Sequence, residues 1–170
     1  AFQSFETLLS WCPYCVIALF NLGELHRSTH SESQFNTRRS LQTLMQAAEL
    51  GHTAAINNAA FCIRNGIGCE PNPQEAVRQW ELICDRCNEA AINLGTILQS
   101  GECGQEKDPV RAFKLFCQAA KTGNANAEYK MAQALEQGIG CTPDPERAVV
   151  IYHRGLEKGD SRSICQLGLC

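Results

Sequence analysis

A spacing of 36 residues runs through most of this chain and constrains its fold more than any single motif does. Proline, small residues and aromatic residues each recur at this interval. We call each set of residues spaced by 36 positions a column. The six columns are Pro73, Pro109 and Pro145; Ala76, Ala112 and Ala148; Gly68, Gly104 and Gly140; Trp80, Phe116 and Tyr152; Ala55, Ala91 and Ala127; and Gly51, Gly123 and Gly159. A fixed period of this length is typical of a solenoid, in which every unit packs against its sequence neighbours. We therefore expect a stack of similar units.

Each unit is predicted to contain two helices joined by a loop that includes glycine. In the third full unit, small and apolar residues within 127–136 follow the spacing of one buried helical face. Gly138 and Gly140 can adopt the positive φ that ends such a helix. Asp144 followed by Pro145 is a strong start signal for the next helix, because a carboxylate caps free backbone N–H groups and proline suits the first helical position.

Packing between these helices is predicted from residue size. The small side chains of Ala112 and Ala148 let neighbouring helices approach closely, while Trp80, Phe116 and Tyr152 fill the space between layers. We predict an all-α fold, a right-handed α/α superhelix or solenoid, built from about four and a half two-helix repeats around a concave inner surface.

The register treats residues 1–170 as one solenoid domain. Its predicted segments are a half-repeat at 1–14 with only a second helix, a degenerate repeat at 15–50, repeats at 51–86, 87–122 and 123–158, and a half-repeat at 159–170 with only a first helix. In the degenerate repeat, Asn36 aligns with the residues that start the second helix in other units. Cys15 and Cys87 stand where other units end their second helix with glycine.

A family resemblance is most specific in one segment, residues 127–160. It reads A-E-Y-K-M-A-Q-A-L-E-Q-G-I-G-C-T-P-D-P-E-R-A-V-V-I-Y-H-R-G-L-E-K-G-D and resembles a Sel-1-like repeat, with its G-x-G loop, Asp, Ala, aromatic residue and closing Gly. The resemblance covers residues 50–168 well and 1–49 loosely. The related tetratricopeptide repeat fits less well, because its period is shorter, about 34 residues, and it has no glycine loop.

The resemblance implies a scaffold that binds other proteins, without catalytic activity and without a cofactor. Similar proteins act as adaptors in quality control, signalling and assembly of membrane-bound enzymes, so a position beside a membrane complex is compatible with it. Hydrolase activity, known among cysteine-rich relatives, has no support from particular residues here. The resemblance therefore leads us to expect a subunit of a larger multiprotein complex.

Composition narrows the class of partner. Fifteen Lys and Arg residues are scattered among eighteen Asp and Glu residues, so no basic stripe is available for a phosphate backbone, and nucleic acid is not expected as a partner. The longest apolar stretch, near Val16 to Leu22, is far shorter than the roughly 20 residues that span a bilayer. We expect no membrane span.

Eleven cysteines suggest an alternative function. Cys12 and Cys15, preceded by Trp11, resemble a glutaredoxin-type redox motif, and the alternative is a thiol-dependent redox or assembly factor that uses this pair. Such motifs require a strand before them and a helix after them, whereas the repeat register places this pair at the end of a helix. The scaffold is therefore the first hypothesis.

Other cysteines have structural interpretations. Cys84 and Cys87 form a second C-x-x-C pair, but two repeats separate it from the first, so a shared zinc ion is not expected and no metal site is predicted. Disulfides are conceivable within either C-x-x-C pair or between Cys62 and Cys69. Reduced thiols are expected over a disulfide framework, which favours a cytoplasmic or mitochondrial location over secretion without fixing the compartment.

The ends of the chain are predicted to carry partner contacts. Both are half-repeats by register, so their apolar faces would be exposed unless further repeats or other proteins cover them. The candidate contact residues are Phe2, Phe5, Leu8, Leu9, Ile164, Leu167 and Leu169. The loop from Ser31 to Arg39 is a further candidate, because it has no glycine and departs most from the repeat pattern.

Overall fold

The computed structural model describes residues 2–12, 15–28 and 34–168, and its secondary structure within these ranges is entirely helical. The helices are α1 (Phe2–Trp11), α2 (Val16–Ser28), α3 (Gln34–Glu49), α4 (Thr53–Asn65), α5 (Pro73–Ile83), α6 (Asn88–Ser100), α7 (Pro109–Ala120), α8 (Ala125–Gln137), α9 (Pro145–Glu157) and α10 (Ser161–Gln166). The predicted all-α class is confirmed.

The helices fall into two compact units, the first ending at Ile83 and the second beginning at Cys84. In the first unit, each helix from α1 to α5 packs against the next one along the chain. The second unit repeats this arrangement from α6 to α10. Packing between sequence neighbours is what a short repeat requires, because one helix pair cannot bury both of its faces.

The residues that were predicted to start and end helices adopt the expected cap geometry. The Asp108 carboxylate accepts a hydrogen bond from the backbone N–H of Arg111 at 2.9 Å, and the Asp144 carboxylate accepts one from that of Arg147 at 3.0 Å. Gly138 ends α8 with a φ of 68°. Asn36 is different, because α3 begins at Gln34 and Asn36 lies inside it. No proline follows Asn36 to fix the start of that helix, so the helix extends backwards.

Residues of the aromatic column lie at the centre of each helix pair. Trp80, Phe116 and Tyr152 are at most 2% exposed, and Leu44 takes the same place in the degenerate repeat. A Cβ added at Gly95 would lie 2.7 Å from Cε1 of Phe116, so the missing side chain on one helix makes room for the ring on the next. This confirms that small and bulky positions together set the helix spacing.

The repeat around α6 departs from the other two. Helix α6 begins at Asn88 and ends at Ser100, one residue earlier than α4 and α8 in the 36-residue register. Its N-cap is Cys87, whose φ of −133° differs from the positive φ of Gly51 and Gly123 in the same column. The loop after α6 is one residue longer than the loops after α4 and α8, and Cys103 within it has a φ of 58°. The 36-residue period is unchanged because the longer loop compensates for the earlier end of α6.

Candidate protein-interaction surface

An apolar groove opens between α3, α4 and α5 in the first unit and has a volume of about 290 Å³. Five of its lining residues are apolar, one is a carboxylate and one is an amide. They are Met45, Ala48 and Glu49 of α3, Ile56, Ala59 and Ile63 of α4, and Gln79 of α5. We call this feature the Met45 groove.

Helix periodicity explains why the groove exists. Ile56, Ala59 and Ile63 follow one face of α4, and that face lies between its neighbours α3 and α5. Ala59 is only 5% exposed and belongs to the core cluster of the first unit, against which Ala48 and Ile63 also pack. The floor of the groove is therefore the edge of the core, held in place by core packing.

The rim of the Met45 groove contains a flexible side chain and a charged one. The Met45 side chain is flexible and polarisable, which suits a surface that adapts to a bound side chain, and it is 44% exposed. The Gln79 amide donates a hydrogen bond to the Glu75 carboxylate at 2.8 Å, which fixes that wall. Glu49 adds an exposed carboxylate. The groove can therefore receive an apolar side chain that has a cation beside it.

A larger cleft of about 720 Å³ lies where α3 begins, between Thr37, Arg38 and the loop 66–70. Gly68 lets this loop approach α3, because a Cβ there would meet the Thr37 carbonyl. The prediction of a loop from Ser31 to Arg39 is wrong from Gln34 onwards, because α3 begins there and includes Arg38 and Arg39. Residues 31–33 of that segment lie outside the described part of the chain. Arg39 forms an exposed ion pair with Glu6 at 3.0 Å.

Four of the seven predicted contact residues at the chain ends have described side chains. Leu8 is 52% exposed, whereas Leu9 packs partly against the core cluster of the first unit. Ile164 and Leu167 are half-buried. Phe2 and Phe5 belong to α1, but their side chains are not among those described, and Leu169 lies outside the described residues. Of the described side chains, Leu8 and Leu9 belong to the first unit and Ile164 and Leu167 to the second.

A buried carboxylate ties α8 to α9 in the second unit. The Glu128 side chain is 5% exposed and pairs with Lys158 Nζ at 2.8 Å and Arg154 Nη2 at 3.1 Å. The same Lys158 ammonium donates to the Gly123 carbonyl at 3.4 Å. Both cations are therefore engaged by structural partners, and we assign this cluster to stability and not to ligand binding.

Helix α10 begins with a charged cap. The Asp160 carboxylate accepts hydrogen bonds from the Ser163 backbone N–H at 3.1 Å and hydroxyl at 2.7 Å, and pairs with Arg162 at 3.0 Å. Burial alone would raise the pKa of Asp160, but the bonds from Ser163 and Arg162 outweigh it and lower that pKa. The ionised carboxylate therefore caps the first turn of this short helix.

The six cysteines singled out from the sequence lie in different surroundings, and none of these six is in a disulfide. Cys12 is exposed and Cys15 half-buried, next to the end of α1 and the start of α2. Cys84 and Cys87 are buried, as is Cys62, whereas Cys69 is exposed. Of the remaining described cysteines, Cys165 is in a disulfide.

Two features of the described ranges bear on other classes of function. No group of three or more His, Cys, Asp or Glu residues is arranged there to hold a metal ion. Among the helices described, none is both long and apolar enough to cross a membrane.

Three helix pairs, in which the first helix ends at glycine and the second is capped by Asp or Asn, define an α-helical repeat protein. The model of the Sel1 repeat matches residues 53–84, 88–124 and 125–160, which is more than half of the chain. The chain belongs to the Sel1 repeat family, and the resemblance found in the sequence is confirmed.

Curated relatives include two proteins of Schizosaccharomyces pombe. Chitin synthase regulatory factor 3 is 26% identical over 163 residues, which is 90% of this chain and 17% of that protein. Chitin synthase regulatory factor 2 is 23% identical, over 84% of this chain and 30% of that protein. The chain thus spans less than a third of the length of either relative.

Solved structures agree on the fold. A Sel1 repeat protein from Oxalobacter formigenes is 28% identical with a TM-score of 0.79, over 96% of this chain and 67% of that one. A protective antigen of uropathogenic Escherichia coli with an SLR fold has a TM-score of 0.85 at 23% identity, over 99% of this chain and 35% of that one, and shows the fold alone. These structures and the chain share the α-helical repeat fold of the Sel1 family.

The Met45 groove was not predicted from the sequence, in which the apolar residues at the chain ends were the contact candidates. One signal was present. Ile56 and Ile63 each directly follow a buried residue, Ala55 and Cys62 respectively, and they form a second apolar stripe on α4. A helix with two apolar stripes has more apolar surface than one neighbour can cover.

Proposed function

We propose that this chain is a protein-binding segment of a non-catalytic adaptor or regulator, that it works within a multiprotein complex, and that the Met45 groove is its main contact. The observation that carries the proposal is the groove itself, an apolar surface continuous with the core of the first unit. Curated relatives named as regulatory factors of an enzyme support the regulatory part.

The partner we propose presents an aliphatic or aromatic side chain next to a lysine or arginine. Apolar lining from α3 and α4 favours burial of such a side chain, which stabilises a complex by roughly 1.5–3 kcal/mol. The exposed Glu49 carboxylate at the rim favours a neighbouring cation. A partner segment with an acidic residue in that place would be disfavoured by charge repulsion.

The terminal apolar residues are proposed as a secondary contact. Leu8 is the strongest of them, because it occupies the column of Leu44 and Trp80, which are fully buried, yet it is 52% exposed. A partner that covered Leu8 would give it the surroundings that its equivalents already have.

Site-specific photocrosslinking tests the proposal in the full-length protein in its source cells. A photoreactive residue replaces Met45 in one variant and Gln46 in another. Gln46 is the matched control, because it is exposed on the same helix but about 100° further round. We expect the variant at 45 to crosslink a small, reproducible set of proteins that the variant at 46 does not. Identical crosslinks from both positions, or none from 45, would overturn the proposed contact.

A further inference from the structure

The two C-x-x-C pairs occupy equivalent positions in the repeat but have different exposure. Cys12 aligns with Cys84 and Cys15 aligns with Cys87, each pair at the turn between one repeat and the next. Cys84 and Cys87 are each only 8% exposed. Cys12 is exposed and Cys15 is half-buried. The same motif in the same register is therefore open to reagents in one copy and covered in the other.

The backbones of Cys12 and Cys15 are joined directly by a hydrogen bond, in which the N–H of Cys15 donates to the Cys12 carbonyl at 3.1 Å. A bond of this kind between residues three apart accompanies a Cα separation below about 7 Å, and disulfides span roughly 4.4–6.8 Å between Cα atoms. Helical hydrogen bonds hold both cysteines in place, because the Cys12 N–H donates to the Leu8 carbonyl and the Cys15 carbonyl accepts from the Leu19 N–H.

We propose that Cys12 and Cys15 form a thiol modification site that reacts with small-molecule disulfides and closes to an intramolecular disulfide, while Cys84 and Cys87 stay reduced. The site is separate from the Met45 groove, and the adaptor function does not depend on it. It also differs from a redox catalyst, because the pair is modified itself and transfers no electrons to a substrate protein.

The chemistry balances with one disulfide molecule as oxidant. The thiolate of the more exposed Cys12 attacks a sulfur of the small disulfide, whose S–S bond breaks and releases one thiol. The Cys15 thiolate then attacks the Cys12 sulfur of the mixed disulfide and releases the second thiol. Two protein thiols are oxidised to one disulfide, and the small disulfide is reduced to two thiols that carry the two protons.

The buried pair is protected by its contacts. The Cys84 carbonyl accepts a hydrogen bond from the Gln118 side chain at 3.2 Å, which fixes the turn to α7. The Cys87 thiol lies 3.5 Å from the Glu89 carboxylate. Burial raises the pKa of Cys87 and the Glu89 charge adds to the rise, so little reactive thiolate forms there.

The test exposes the full chain to oxidised glutathione, quenches with acid, alkylates the remaining thiols and maps them by mass spectrometry. We expect the Cys12 and Cys15 peptide to lose two hydrogens at least about tenfold faster than the Cys84 and Cys87 peptide. Equal rates, faster loss at Cys84 and Cys87, or no loss at Cys12 and Cys15 would overturn the proposal.

Two variants distinguish formation of the Cys12 to Cys15 disulfide from reaction of a single exposed cysteine. In Cys12→Ser, Cys15 has no resolving partner and should retain one glutathione, whereas the matched Cys84→Ser variant should still close the Cys12 to Cys15 bridge. Circular dichroism verifies that each variant is folded, and Cys15→Ser, which should retain glutathione on Cys12, replaces the first variant if it unfolds. The idea is refuted if the single cysteine left in the exposed pair takes up no glutathione.

Discussion

Gly140→Ala tests how closely the loop after α8 packs on the preceding repeat. Gly140 has a φ of +73°, and a Cβ there would meet the Pro109 carbonyl and lie 2.9 Å from the Val110 nitrogen. These atoms belong to the backbone of the first turn of α7, so no side-chain rotation can relieve the contact. Left-handed backbone in alanine costs about 1–2 kcal/mol and overpacking about 1–3 kcal/mol, which together give roughly 2–5 kcal/mol.

Gly123→Ala is the matched control for the backbone contribution. Gly123 has a φ of +78°, but the nearest atom to its added Cβ is Lys158 Nζ at 3.9 Å, an ordinary contact distance. Only the conformational cost of about 1–2 kcal/mol therefore applies to this variant. The difference between the two variants isolates the close approach of the loop to α7.

Urea unfolding followed by circular dichroism measures both variants. We expect the midpoint to fall for each, and to fall further for Gly140→Ala by an amount equal to about 1–3 kcal/mol at constant slope. Equal midpoints for the two alanine variants would refute the reasoning, because the steric contribution would then be absent.

Three further predictions concern other contacts of the second unit. Gly95→Ala should destabilise the protein by about 1–3 kcal/mol in urea unfolding, because its Cβ would press on the Phe116 ring, and no change would contradict the packing. Glu128→Ala should lower the free energy of unfolding by roughly 1–3 kcal/mol, measured in the same way, because two half-exposed cations lose their buried partner. An unchanged urea midpoint would show that these two ion pairs contribute nothing to stability. The lowered pKa of Asp160 adds stability above the unfolded carboxyl pKa of about 3.9, and that stability is lost as pH falls through the lower folded value. Hydrogen exchange at Ser163, corrected for its intrinsic rate, should therefore accelerate at acid pH in the wild type and show no such transition in Asp160→Ala.

The repeat fold could be predicted because its signals are local. Asp108 and Asp144 each precede a proline and cap the helix that follows, which depends only on neighbouring residues. The one-residue shift of α6 could not be seen, since Gly104 keeps the register of its column while Gly101, one residue earlier than its counterparts, ends the helix. Asn36 lacks the proline that makes the other start signals strong.

The candidate surface was harder to predict than the fold. Exposure of Met45 and the cavity beneath it depend on which side chains of α4 and α5 lie opposite, and this follows from packing and not from the sequence of α3. The two C-x-x-C pairs make the same point, because equal spacing and register leave Cys12 exposed and Cys84 buried.

Binding affinity tests the central claim most directly. Isothermal titration would compare the wild-type chain, Met45→Glu and the control Val150→Glu against the protein captured by the crosslink at position 45. Val150 is 67% exposed on α9 and lies in the other unit. We predict at least a tenfold loss of affinity for Met45→Glu, equal to about 1.4 kcal/mol, with the urea midpoint unchanged, and no loss for Val150→Glu. Wild-type affinity in Met45→Glu would contradict the assignment of the Met45 groove as the binding surface.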